Sequence, residues 1–244
     1  MELREMIYKR KSTRSYTGEP VEEETLQKIR EFAAAAKTLY PDIRVRTEIV
    51  EGSKVKCILP WTTPQMIAIY SEPKEGYEQN AGFLYQQVDL YLQSLGLGTC
   101  WLGMGKPDAK TDKLLAGEDG FSFVILIAFG KPKGEWLRKE TSEFKRKPLT
   151  AISDKEDTRL EPARLAPSSV NSQPWYFVHD GETIHLYCAY PGIFSKKKTS
   201  HMNRIDVGIA LAQLYVENPE TFRFFKAEQP PKQNGYGYEG SFTL

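Results

Sequence analysis

Residues 165–175 read LAPSSVNSQPW. Two prolines, three serines, an asparagine and a glutamine stand between an apolar residue and a tryptophan. Pro167 ends the helical pattern before it, because proline lacks an N–H and restricts Ala166. Pro174 sets up the strand pattern WYFV that follows. Between them, Ser168, Ser169 and Asn171 present short donors and acceptors from a stiffened backbone. A polar turn from helix to strand explains the prolines. It explains the density of hydroxyl and amide groups less well.

Working outward, a helix is expected around Asp157–Leu165, before the loop. After it come strands WYFVHD and TIHLYCA, with Asp180–Gly181 as their turn. A long helix spans about Asn203–Val216, FRFFKAE reads as a last strand, and QPPKQNGYGYEG reads as irregular. The first half has a similar order. EEETLQKIREFAAAA (22–36) is a helix with Leu26, Ile29 and Phe32 on one face. Ile43–Val50 alternates, VKCIL follows a turn at Gly52, and MIAIYSE (66–72) is a short apolar strand. Asn80–Leu95 is a long helix, GLGTCWLGMG (96–105) a glycine-rich loop, and FSFVILIAFG (121–130) a central strand, apolar on both faces. Ile29 with the small residues after Phe32 can be laid on Leu160 with ARLAP, and GFLYQQV (82–88) on GIALAQL (208–214). The division expected is a first half over 1–135, a polar connector over 136–152 and a second half over 153–244, together one globular unit.

The bulk numbers fit. A chain of 244 residues can bury a sizeable core. A net charge of +1 gives no push toward nucleic acid or a membrane surface. Cys57, Cys100 and Cys188 are odd in number and widely spaced, which argues against a disulfide framework or a zinc site and fits a reducing cytoplasm. No segment reads as a signal peptide or membrane span. His179 and His185 flank the hairpin turn and are expected at the surface or an edge; His201 is expected in a solvated loop, KKKTSHMN. No metal-ligand spacing or nucleophile triad is apparent. RKSTR (10–14) places Arg10, Lys11 and Arg14 around Ser12 and Thr13, enough donors for one phosphate or simply a solvated basic turn.

RKSTRSYTGEPV, GLGTCWLG and APSSVNSQPW, together with KRKPL at 145–149, resemble the signatures of the nitroreductase family of FMN-dependent oxidoreductases. The resemblance covers most of the chain. It implies an α+β, nitroreductase-like fold with mixed or antiparallel sheets around central long helices. Typical members are homodimers that bind FMN at the interface, taking phosphate contacts from one subunit and the PSS loop from the other. Here AAAAKTLYPDIRV follows the first helix where the PSS loop is due, and the loop comes only at 167–169. The chain therefore resembles a fused pseudo-dimer with one flavin site. By resemblance Arg10, Ser12 and Arg14 hold the FMN phosphate and ribityl chain, with Lys11 nearby and Arg146 added from the connector. Pro167, Ser168, Ser169 and Asn171 face the flavin from the other half, and the backbone of Trp101, Leu102 and Gly103 lies near flavin N5.

The activity implied is transfer of electrons from NAD(P)H through FMN to a small-molecule acceptor such as a nitroaromatic or quinone, with no catalytic side chain required. A flavin-binding or regulatory protein without turnover is one alternative, and an oxidase-like or dehalogenase-like flavin reaction another. Fusion makes a monomer possible, and a homo-oligomer stays open.

Overall fold

A computed structural model describes residues 2–58, 61–190 and 200–244. The helices are α1 (Leu3–Ile7), α2 (Glu23–Ala35), α3 (Tyr77–Ser94), α4 (Ala109–Ala116), α5 (Leu149–Ile152), α6 (Glu161–Leu165) and α7 (His201–Glu217). The strands are β1 (Val45–Glu51), β2 (Val55–Cys57), β3 (Gln65–Ser71), β4 (Gly98–Leu102), β5 (Gly105–Pro107), β6 (Ser122–Gly130), β7 (Trp175–Asp180), β8 (Thr183–Ala189), β9 (Arg223–Phe225) and β10 (Tyr236–Thr243). One sheet has the order β1-β3-β6-β4 and a second the order β7-β8-β10-β9; β2 and β5 form a small ribbon. Every strand pairing within them is antiparallel. The fold is α+β, as expected.

The long helices α3 and α7 pack against each other at the centre, and one apolar cluster runs from Leu26 and Ile29 through both of them to Phe177 and Phe242. Two glycines let the helix backbones touch. A Cβ on Gly82 would lie 2.1 Å from the carbonyl oxygen of Ile205, and one on Gly208 would lie 2.1 Å from that of Gln79. The contact is reciprocal: each glycine meets the carbonyl three residues before its counterpart. Among the described residues no helix is long and apolar enough to cross a membrane.

Four local expectations are corrected. GLGTCWLGMG is not all loop: Gly98–Leu102 is β4, paired with Leu126–Gly130 of β6. Thr99, Cys100 and Trp101 suit a strand, and pairing along β6 overrides the flanking glycines. The segment expected to be irregular contains most of β10, which lies between β8 and β9. Asp180 pairs with Thr183, so the hairpin loop is Gly181–Glu182, one residue later than expected. Of the histidines, His179 does lie on an edge strand, β7, but His185 is on the inner strand β8 and His201 is in a helix instead of a loop. His179 binds Asp154 through Nδ1 at 2.6 Å and Asp157 through Nε2 at 3.0 Å. His185 is 4% exposed, with Nδ1 2.8 Å from the Ser241 hydroxyl on β10. His201 opens α7, its Nε2 3.2 Å from the carbonyl of Val124. The rest of the basic stretch expected there, through Thr199, lies outside the described residues.

Candidate functional site

A cleft of about 360 Å³ opens between the end of β4, the amino-terminal segment, α7 and the loop before β7. Ser12 and Arg14 line it from the amino-terminal segment, Trp101, Leu102 and Gly103 from the end of β4, and Pro167, Ser168 and Ser169 from the late loop. Eight of the residues singled out in the sequence thus meet in one place. The amino-terminal segment reaches it by lying parallel to β4: Ser12 bridges Thr99, and the Thr13 N–H donates to the Thr99 carbonyl at 2.7 Å. Gly98 allows this approach, since a Cβ there would sit 2.6 Å from the Thr13 side chain.

Four predicted residues are not in the cleft wall. Lys11 is exposed, and its backbone N–H donates to Gln93 Oε1. Arg10 is 1% exposed and lies beneath the site, its Nε donating to Asp89 Oδ2 at 3.0 Å. Asp89 also accepts from Thr99 Oγ1 at 2.6 Å and from the amides of Gln86 and Gln93. Arg146 donates to the Leu165 carbonyl and, at 2.6 Å, to Asn171 Oδ1. Asn171 in turn donates to the Lys145 carbonyl. These last two side chains fasten the loop to the connector.

The loop needs fastening. Val170, Asn171 and Gln173 have φ of 47°, 58° and 48°. Such angles are strained for side-chain-bearing residues, most of all β-branched Val170. Val170 is also 96% exposed and lines the cleft. Further restraints hold this geometry: Lys147 N–H donates to Gln173 Oε1 at 2.7 Å, Gln173 N–H to Ser168 Oγ at 2.9 Å, and Ser169 N–H to both carboxylate oxygens of Asp206.

Positive charge is concentrated behind this cleft. Burial, then the neighbouring Arg10 charge, push the Arg138 guanidinium down to about 10; burial, then Arg10 and Arg138, do the same to Arg146. Arg10 Nη2 is buried with no hydrogen-bond partner. A buried guanidinium N–H without an acceptor is costly. Arg10 and Arg14 both also act on the Cys100 thiol, although burial dominates and raises it. An anion entering from the cleft would find this field favourable, and the residues present fit a phosphorylated ligand.

Asp206 was not singled out in the sequence. The available signal was a carboxylate inside the apolar helix RIDVGIALAQL. It lines the cleft at 2% exposure, and burial pushes its carboxyl up to about 7 against the Ser169 N–H, which favours the charged form. An acid whose folded pKa is raised destabilises the fold as pH rises from its unfolded value toward the folded one. Stability of the ligand-free protein is expected to fall between about pH 4 and pH 7, by at most about 1.4 kcal/mol per pH unit from this group. Asp206→Asn, which can still accept from Ser169, should remove that component of the slope in urea titrations at stepped pH.

Comparison with known proteins gives the family of the chain. No curated protein matches the chain. A solved structure described as a "putative nitroreductase" from Thermotoga maritima is 20% identical, with a TM-score of 0.65 over 99% of this chain and 92% of that one. A nitroreductase family protein from Clostridium difficile 630 is 21% identical, with a TM-score of 0.49 over 62% of this chain and 96% of its own. A nitroreductase with bound FMN from Desulfitobacterium hafniense is 18% identical, with a TM-score of 0.45 over 55% and 92%. The family model described as "Putative TM nitroreductase" matches residues 2–218. The late proline-bracketed loop, the amino-terminal cations and the β4 glycines therefore sit in a chain that belongs to this nitroreductase family.

Proposed function

We propose that the protein is an FMN-dependent oxidoreductase that takes electrons from NAD(P)H and passes them to a nitroaromatic, quinone or similar small acceptor. The observation that carries this reading is the convergence of Ser12 and Arg14 with Pro167–Ser169 across one cleft, although more than 150 residues separate them in sequence. FMN, when bound, would supply the redox chemistry, accepting a hydride and releasing electrons. Arg14 and Ser12 would bind its phosphate and ribityl groups, and the unpartnered Arg10 Nη2 supports a phosphate close by. Arg138 and Arg146 strengthen the field without leaving their backbone partners. Trp101–Gly103 would present backbone N–H groups to the reactive edge, and Ser168 and Ser169 would cover the opposite side. Apolar Ile125, Ile205 and Ile209 keep water from the floor of the cleft.

The reciprocal contact of Gly82 and Gly208 supports reading the two halves as an internal pseudo-dimer. The cleft draws on both ends of one chain, so this reading includes one FMN per chain.

Purified protein titrated with FMN should bind one equivalent, and anaerobic NADPH or NADH should bleach it. Arg14→Ala should weaken FMN binding by about 1.5–3 kcal/mol, the worth of a charge-assisted hydrogen bond. That is roughly a 10- to 150-fold rise in Kd. Yellow protein that nicotinamide donors cannot bleach would favour a flavin binder or a different reductant. No FMN binding would overturn the reading.

A further inference from the structure

Beside the cleft lies a hollow of about 710 Å³ that plays no part in the reading above. It shares Gly103 and Met104 with the cleft, so the two adjoin. Its wall is the β2–β5 ribbon, whose register sets Lys56 directly opposite Lys106. Both side chains are exposed, and among the described residues neither has an ion-pair or hydrogen-bond partner. Like charges facing each other across an antiparallel pair repel. Some lysines on the surface are paired, as Lys28 is with Glu24 and Lys131 with Glu22, but among the described residues no carboxylate is paired with either member of this facing couple. The nearby carboxylate of Asp108 is committed to capping α4 through the N–H groups of Lys110 and Thr111. The same hollow exposes two large apolar side chains, Ile58 at 80% and Met104 at 60%, with Phe123 beside them. Apolar side chains next to an uncompensated cation pair complement a ligand that joins flat apolar rings to anionic groups. A nucleotide has that chemistry.

We propose that this hollow seats the phosphate-bearing end of the dinucleotide electron donor, with Lys56 and Lys106 meeting its phosphate oxygens while its nicotinamide enters the cleft past Met104. The assignment rests on the flavin reductase reading. It adds that donor recognition lies on the ribbon and not among the FMN-binding cations.

The test compares two hydride donors on the FMN-loaded enzyme under anaerobic conditions: NADPH, and N-benzyl-1,4-dihydronicotinamide, which carries no phosphate. In the double variant K56E/K106E, the preference for NADPH over the phosphate-free donor, as a ratio of kcat/KM values, should fall at least tenfold. The NADPH KM of the parent should rise with ionic strength, because salt screens such contacts, and that rise should flatten in the variant. A variant that loses FMN is replaced by K56Q/K106Q, for which the same ratio should fall in the same direction. An unchanged ratio overturns the assignment. So does an unchanged ratio with a raised KM for nitrobenzoate, which would give the lysines to an anionic acceptor. Failure of the reductase reading looks different: the parent would be reduced by dithionite but by neither nicotinamide nucleotide.

Discussion

Asp89→Ala is expected to destabilise the protein by about 3–5 kcal/mol, the range for removing one partner of a buried ion pair. Asp89 is 0% exposed and sits on α3, beneath the strand that leads to the cleft. It receives the Arg10 guanidinium, the Thr99 hydroxyl and two side-chain amides. Alanine leaves all four donors without that acceptor. It also leaves Arg10 as an uncompensated buried charge near Arg138 and Arg146, whose guanidinium groups already interact unfavourably with it. A surface pair such as Lys28–Glu24 contributes little by comparison. Asp89→Asn separates the parts, since the amide can accept some of these bonds but carries no charge. Urea midpoints for the three proteins give the comparison. An Asp89→Ala loss under about 1 kcal/mol would show that the cluster reorganises or admits water instead of losing its pairing.

The second large effect is at the helix crossing. Gly82→Ala and Gly208→Ala should each cost about 3 kcal/mol, at the upper end of ordinary overpacking penalties. In most exposed helices, glycine to alanine stabilises by about 1 kcal/mol through propensity. Here the new methyl would be 2.1 Å from a backbone oxygen, which no rotamer change relieves. The helices must separate, and apolar contacts along both would be lost with them. The two substitutions act on the same crossing and should not add. A double-mutant cycle showing full additivity, or a single variant as stable as the parent, would mean that α3 and α7 can be displaced freely.

Much of the architecture was legible because it rests on patterns that survive tertiary context. Leu26 and Ile29 mark the buried face of α2, and the continuous run in β6 announced a strand covered on both sides. The long helices were recognised within a few residues at each end. Less legible were elements whose side chains do not advertise them. β10 opens with YGYEG, where glycine and tyrosine look like loop, and only its neighbours β8 and β9 supply the pairing. β4 was hidden for the same reason. At the site, the loop's prolines and hydroxyls were visible, but the fastening by Arg146 and Asp206 was not. Asp206 acts through a backbone N–H, and Arg146 through the Leu165 carbonyl and an asparagine side chain 25 positions away, neither of which a local pattern reveals. His185 also shows the limit: a polar residue near a turn is buried because Ser241, 56 positions away, offers its hydroxyl.

The cleft walls come from residues 12–14, 101–104 and 167–170 of a single polypeptide. Their meeting is consequently a first-order event, set by intramolecular effective concentration and not by the abundance of a second subunit. Dilution that would empty a two-chain interface leaves these walls facing each other.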